Sequence, residues 1–258
     1  MKLNTLYRWD CLEIMKQIPD WSIDAIITDP PYWTTACKWD SVIPFEPMWE
    51  QLKRIIKPNW AIVLFGSEPF SSALRMSNIK MYKYDWIWEK ERPTNVFWCK
   101  YSPWKVHEII SVFSKEKHIY IPEMVERDIK RNWINDKDYD LWRLNNNWSE
   151  HLNMKKYKYS ETYDWRYRYP RSVIRINRET WRNIHPTQKP VALIEYLIKT
   201  YTNEWETVLD FTAGSWTTGV ACINTNRNYI LIEKDEWYCD IIEKRLATPK
   251  TFIEKSSE

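Results

Sequence analysis

Short, continuous apolar runs alternate along the chain with longer stretches in which apolar residues recur at helical spacing. Ala25-Ile26-Ile27, Trp60 to Gly66, Val208-Leu209 and Tyr229-Ile230-Leu231-Ile232 have the pattern of strands buried on both faces. Residues 84–90 and 108–113 read as two further strands, antiparallel neighbours. Residues 12–18, 45–56 and 191–199 keep their apolar positions on one helical face; Pro19-Asp20 ends the first and Lys189-Pro190 enters the last. A further helix is expected from Val220. Strands alternating with helices at this spacing predict an α/β fold, a doubly wound, mostly parallel sheet with some mixed character.

Two of the strands run into residues that can do chemistry. The first leads into Thr28-Asp29-Pro30-Pro31-Tyr32. Ligands of an open α/β sheet bind outside the carboxyl ends of its strands, and two prolines would hold the Asp29 carboxylate and the Tyr32 ring there stiffly. The same pentad also fits a plain Pro-Pro turn, with Asp29 bonding within it and Tyr32 covering the core edge. The second, Val208-Leu209, leads into Asp210-Phe211-Thr212-Ala213-Gly214-Ser215-Trp216-Thr217-Thr218-Gly219. A turn that opens a helix exposes backbone N–H groups and the positive end of the helix dipole, which suits a bound carboxylate, and Thr217 and Thr218 add hydroxyl donors. Glu233 ends the next strand, where it can accept hydrogen bonds from ribose hydroxyls or cap the following helix. Asp10, ahead of the first helix, fits its N-cap. The G-x-G-x-x-G fingerprint of dinucleotide binding is absent.

Composition narrows the class. A chain of 258 residues, 44% hydrophobic and 28% charged, suits one large α/β domain with an insert. No apolar stretch approaches the ~20 residues of a membrane span, and the N-terminus shows no secretory h-region. Cys11, Cys37, Cys99, Cys222 and Cys239 are scattered singly, which argues for reduced thiols in the cytoplasm and against a metal site. The net charge is only +3, yet residues 155–182 hold 9 Lys/Arg against 3 Asp/Glu, interleaved with five tyrosines. Such a stretch suits a polyanion with stackable bases, and it also suits a solvated loop. The abnormal figures are 3 Gly and 18 Trp, where average usage predicts roughly 18 Gly.

Asp-Pro-Pro-Tyr at 29–32, His185-Pro186-Thr187-Gln188-Lys189-Pro190 and the turn 210–219 occur in an order that resembles the β class of S-adenosylmethionine-dependent DNA amino-methyltransferases, over nearly the whole chain. The resemblance implies a Rossmann-like methyltransferase domain over 1–258. Its catalytic part would be 1–114, an inserted target-recognition region 115–182 and a cofactor-binding part 183–258. It implies Asp29, Pro30, Pro31 and Tyr32 as catalytic residues. S-Adenosylmethionine would meet Asp10, Lys189, Asp210, Thr212, Gly214, Ser215, Thr217, Thr218 and Glu233, with Lys189 on its carboxylate. DNA would meet Lys155, Lys156, Arg166, Arg168 and Arg171. The implied partners are double-stranded DNA and a cognate restriction endonuclease, and the chain is expected as a monomer or a homodimer.

In this family Asp at the head of the tetrad is more usual in adenine-N6 enzymes than in cytosine-N4 ones, so adenine is expected and cytosine is the alternative. Two other classes compete: a non-catalytic DNA-binding protein on a decayed frame, supported by Trp216, and a small-molecule methyltransferase, opposed by the basic stretch. Trp9, Trp21, Trp33, Trp60, Trp205 and Trp216 stand where the resembled family usually has Gly, so they are expected to be codons that the source organism reads as glycine. Trp39, Trp49, Trp86 and Trp88 lie in apolar or aromatic settings and are expected to be genuine. An indole at 216 is expected to stand where the cofactor must approach, and one at 33 to crowd the site's mouth.

Overall fold

The computed structural model describes residues 1–32, 41–126, 166–177, 188–214 and 216–246. Among these, the elements run β1 (Thr5–Arg8), α1 (Cys11–Met15), β2 (Ile23–Thr28), α2 (Phe45–Ile55), β3 (Ile56–Gly66), α3 (Phe70–Ser77), β4 (Tyr82–Glu89) and β5 (His107–Phe113). There follow β6 (Val125–Glu126), β7 (Tyr167–Arg168), β8 (Val173–Arg175), α4 (Val191–Tyr201), β9 (Thr207–Asp210), α5 (Thr217–Asn224), β10 (Asn228–Glu233) and α6 (Glu236–Leu246).

Eight strands form one sheet in the order β1-β10-β9-β2-β3-β5-β4-β8. Every neighbouring pair is parallel except the two that involve β5, so β5 alone is reversed. The continuous apolar runs follow from burial on both faces. On β3, Ala61, Val63 and Phe65 join one core while Ile62 and Leu64 join the other; on β10, Leu231 and Ile230 divide in the same way. Leu193, Ile194, Leu197 and Ile198 of α4 and Ala221 and Cys222 of α5 close the first core, and residues of α1, α2 and α3 close the second. This is the doubly wound arrangement expected. The reversed β5 supplies its mixed character, and the antiparallel pairing of residues 84–90 with 108–113 holds.

Three details were not read in the sequence. The helix after the 210–219 turn begins at Thr217 rather than Val220, α3 follows β3 directly, and β8 adds an edge strand beside β4. Residues 122–170 form a compact unit of their own, shorter than the insert expected over 115–182. Its described part is the antiparallel pair β6 and β7, with Val125 opposite Arg168. Residues 115–121 belong to the main unit, where Ile119 N donates to Asn59 O at 3.0 Å and Ile121 N to Thr200 O at 2.9 Å.

Candidate active site

β2, β3, β9 and β10 run parallel, so their carboxyl ends share one edge of the sheet, and a cavity of about 920 Å³ opens there. β2 contributes Asp29, Pro30, Pro31 and Tyr32; β9 and its turn contribute Asp210, Thr212 and Gly214; α5 contributes Thr217 and Thr218. Asp10, Lys189 and Glu233 complete the lining among the expected residues, and Ser215 lies outside the described ones. Residues far apart in the chain are thus brought to one place.

Asp29 sits in a chain of charges. Its Oδ2 accepts from the Lys189 ammonium, which also pairs with Glu108 Oε2 at 3.3 Å, and Glu108 Oε1 accepts from Lys90 at 2.9 Å. Lys189 is 6% exposed and lies 5.3 Å from the centre of the Phe65 ring. Burial alone would lower the Lys189 pKa, but Asp29 and Glu108 outweigh it and keep the ammonium charged well above its usual range. For Glu108 burial acts upward, and the charges of Lys189 and Lys90 outweigh it and hold the carboxyl below the usual value. Asp29 goes the other way: burial raises its pKa, Lys189 draws it back, and the Glu108 charge adds to the rise. Asp29 Oδ1 is buried and, among the described residues, has no hydrogen-bond partner. An unmade bond at a buried carboxylate oxygen is costly, and here the oxygen belongs to a side chain that lines the cavity.

Lys189 was expected at the cofactor's carboxylate; in the structure its ammonium is on Asp29 and Glu108. Glu108 and Lys90 were not anticipated. Lys90 follows β4 and Glu108 lies in the reversed β5, whose position no local spacing announces, and only the sheet order brings Glu108 to Lys189. Burial, with the Asp29 charge adding to it, holds the Tyr32 hydroxyl protonated well above the usual tyrosine value. Its ring stacks against Phe70 at 5.4 Å.

A second network ties the two motifs together. Asp210 is 4% exposed; its Oδ1 accepts from Thr28 Oγ1 at 2.5 Å and from Thr212 N at 3.1 Å, and its Oδ2 accepts from Thr218 Oγ1 at 2.6 Å. Thr212 Oγ1 lies 2.7 Å from Thr28 Oγ1 and donates to the Asp29 carbonyl at 3.1 Å. Burial pushes the Asp210 carboxyl up to about 6, against the Thr218 and Thr28 hydroxyls that draw it down.

Glu233 braces the turn. Its Oε2 accepts from Gly214 N at 2.8 Å, with Gly214 in the left-handed region at φ 50°, and its Oε1 accepts from Lys234 N and Asp235 N at 2.9 and 2.8 Å. The cap of α6 comes from Asp235, whose Oδ1 accepts from Trp237 N at 3.0 Å. Asp10 is the N-cap of α1, accepting from Leu12 N at 2.9 Å, and it lines the cavity as well.

The tryptophans divide by geometry. Trp21, Trp205 and Trp216 have φ of 52°, 69° and 71°, a region that costs a residue with a Cβ roughly 1–2 kcal/mol. Trp9 and Trp60 lie outside that region, and Trp33 and Trp39 are outside the described residues. The Trp216 indole does not stand in the cofactor's approach as expected. It is turned inward, 4% exposed, edge-on to Tyr229 at 6.4 Å, and its Nε1 has no hydrogen-bond partner.

Arg166, Arg168 and Arg171 are exposed, while Lys155 and Lys156 lie outside the described residues. Among the described residues no group of three or more His, Cys, Asp or Glu could hold a metal, and no helix is long and apolar enough to cross a membrane.

The model of the N6/N4 family described as "DNA methylase" matches residues 23–244. Type II methyltransferase M2.MboI of Moraxella bovis is 27% identical over 93% of this chain and 86% of its own length. Type II methyltransferase M.HinfI of Haemophilus influenzae is 28% identical over 96% and 69% respectively. The crystal structure of an M1.HpyAVI–SAM complex aligns with a TM-score of 0.60 at 25% identity, covering 93% of this chain and 98% of that one. PvuII DNA methyltransferase, described as cytosine-N4-specific, aligns with a TM-score of 0.65 at 15% identity over 95% and 87%, a likeness of fold.

Proposed function

Because the chain belongs to the N6/N4 DNA methylase family, whose cofactor is S-adenosylmethionine, we propose that it methylates the exocyclic N6 amine of adenine in DNA. The observation that carries this reading is Asp29 Oδ1, a buried acceptor without a partner on a side chain that lines the cavity. An exocyclic amine is a weak nucleophile because its lone pair is delocalised into the ring. Asp29 Oδ1 and the Pro30 carbonyl would accept its two N–H bonds, drawing the nitrogen toward tetrahedral geometry and freeing the lone pair. S-Adenosylmethionine supplies an electrophilic sulfonium methyl.

Lys189 would act on Asp29 rather than on the cofactor. Occupying Oδ2, it fixes the carboxylate and favours its ionised form, which leaves Oδ1 to the substrate. Tyr32 would stack on a base flipped out of the duplex. The cavity is of a size for a nucleoside joined to an amino acid, and its donor set fits. The backbone N–H groups of Thr217 and Thr218 at the start of α5 would meet the carboxylate, and Ser215 is proposed to join them. Glu233, whose Oε2 keeps a free lone pair, would meet the ribose, and Asp10 the adenine of the cofactor. Asp210 and Thr212 would hold the turn in shape. Lys155, Lys156, Arg166, Arg168 and Arg171 would contact phosphates.

Asp at the head of the tetrad favours adenine over cytosine. The non-catalytic reading draws on Trp216, whose strained backbone and unpaired N–H weaken the cofactor turn. A cognate restriction endonuclease and a cytoplasmic location complete the proposal. Sequencing the DNA of cells that express the protein, with detection of modified bases, tests it. N6-Methyladenine at a fixed site is expected, N4-methylcytosine would transfer the reading to cytosine, and unmodified DNA would favour the non-catalytic one.

A further inference from the structure

We infer that the native residue at positions 21, 205 and 216 is glycine, and that these tryptophans are UGA codons read with the wrong genetic code. Among the described residues, those with positive φ are Asn4, Trp21, Trp205, Trp216, Asn226 and Gly214. Glycine adopts this conformation freely and asparagine tolerates it through its short polar side chain, whereas a bulky ring is an outlier there. Each of the three turns is fixed by its backbone: Trp21 N donates to Arg54 O at 3.1 Å, Trp205 N to Asn226 O at 2.7 Å and Trp216 N to Ala213 O at 2.8 Å. At 21 and 205 the side chains add nothing that offsets the strain, while at 216 the ring packs in the core. Trp21 and Trp205 are 62% and 71% exposed, and Trp216 buries an indole N–H without a partner.

The other buried tryptophans behave differently. Nε1 of Trp49 donates to Ser77 Oγ at 2.7 Å, that of Trp86 to Tyr201 OH at 2.6 Å and that of Trp88 to Ile176 O at 2.8 Å. Among these six, three in left-handed backbone with no indole hydrogen bond and three with the indole N–H bonded are the two populations that two codons merged into one letter would produce. Some genetic codes read UGA as glycine and others as tryptophan, and a count of 18 Trp beside 3 Gly has the corresponding direction.

The gene decides this directly: UGA is expected at codons 21, 205 and 216 and UGG at 49, 86 and 88. UGG at the first three overturns the inference. A second arm rests on the proposed function and reads the protein. Trp216→Gly is expected to bind S-adenosylmethionine at least about tenfold more tightly by calorimetry, and Trp216→Ala, which keeps a Cβ in the left-handed region, to recover less. If Ala matches Gly, the indole rather than the backbone is at fault and the inference fails at 216. UGA codons without any cofactor binding would uphold the inference and overturn the proposed function instead.

A different observation concerns the loop between β4 and β5, and the structure assigns it a contact with the duplex beside the target base, a role that rests on the proposed function. Asn95 closes the loop: its Oδ1 accepts from Lys105 N at 2.6 Å and its Nδ2 donates to Pro103 O at 2.9 Å. The tip so held presents Phe97 at 98% and Tyr101 at 83% exposure, with exposed Arg92 and Lys100 beside them. Exposed rings on a backbone held by Asn95, with cations in the same loop, match stacked bases flanked by phosphates. β4 lies three strands from β2 and runs parallel to it, so the loop leaves the same sheet edge as Asp29, about 14 Å away at ~4.8 Å per strand, comparable to the ~12 Å major groove. Phe97→Ala combined with Tyr101→Ala is expected to weaken duplex binding by about tenfold in fluorescence anisotropy, with S-adenosylmethionine affinity unchanged. Unaltered duplex affinity would overturn the assignment. Failure of the unsubstituted protein to bind any duplex would overturn the proposed function with it.

Discussion

Thr28 Oγ1 lies 2.5 Å from Asp210 Oδ1, joining the strand end that carries Asp29 to the turn that opens α5 across 182 positions of sequence. With Thr212 on the Asp29 carbonyl and Thr218 on the other Asp210 oxygen, the two halves of the site cannot shift independently. Thr28→Val should therefore leave the fold intact and lower kcat more than it raises KM for either substrate. Steady-state kinetics with both substrates varied checks this, and unchanged kcat would show that the bond is only structural.

Asp210 also makes stability depend on pH. Its folded pKa of about 6 stands above the ordinary aspartate value of roughly 3.9, so the folded state binds the proton more tightly than the unfolded chain. Its contribution is therefore most favourable below the unfolded pKa and is lost as pH rises through about 6, by an amount on the order of 3 kcal/mol. Asp210→Asn should remove this dependence. Urea titrations at pH 4 and 7 should show the unsubstituted protein losing more stability than the variant between the two, and parallel losses would refute the burial argument.

Lys189 and Glu108 act on Asp29 with opposite signs. Lys189 draws the Asp29 pKa down and Glu108 pushes it up, and the proposed methyl transfer needs the ionised carboxylate. Lys189→Met should move the acid limb of the pH–rate profile to higher pH, and Glu108→Gln should move it to lower pH. Shifts of one sign in both variants would contradict the assignment.

Neutralising Arg166, Arg168 and Arg171 together should flatten the salt dependence of DNA binding, by a slope of about 0.9 for each phosphate no longer neutralised, with cofactor affinity unchanged. An unaltered slope would mean that these exposed cations do not meet DNA phosphates.

The parts of the site that could be read from sequence are those in which chemistry follows a strand directly. Asp29 to Tyr32, Asp210 and Glu233 each end an apolar run, and period-two burial on β3 and β10 explains why those runs are continuous. Glu108 and Lys90 could not be read, because only the insertion of β5 between β3 and β4 brings Glu108 to Lys189. Lys189 was read as lining the site, but its contacts with Asp29 and Glu108 were not read, since a cation beside a cofactor motif does not reveal which carboxylates it will meet within the protein. Trp216 was read as an obstruction in the cavity. Its left-handed backbone turns the indole into the core instead, a matter of φ that no residue pattern encodes.

The most direct measurement is the fate of a labelled methyl group. The Trp216→Gly protein, incubated with duplex DNA and methyl-labelled S-adenosylmethionine, should yield labelled N6-methyladenine on nucleoside analysis. Adding Asp29→Ala should reduce the yield by at least about 10²–10³-fold while both substrates still bind. Label on cytosine, no label in DNA, or an Asp29→Ala protein as active as its parent would contradict the proposed chemistry.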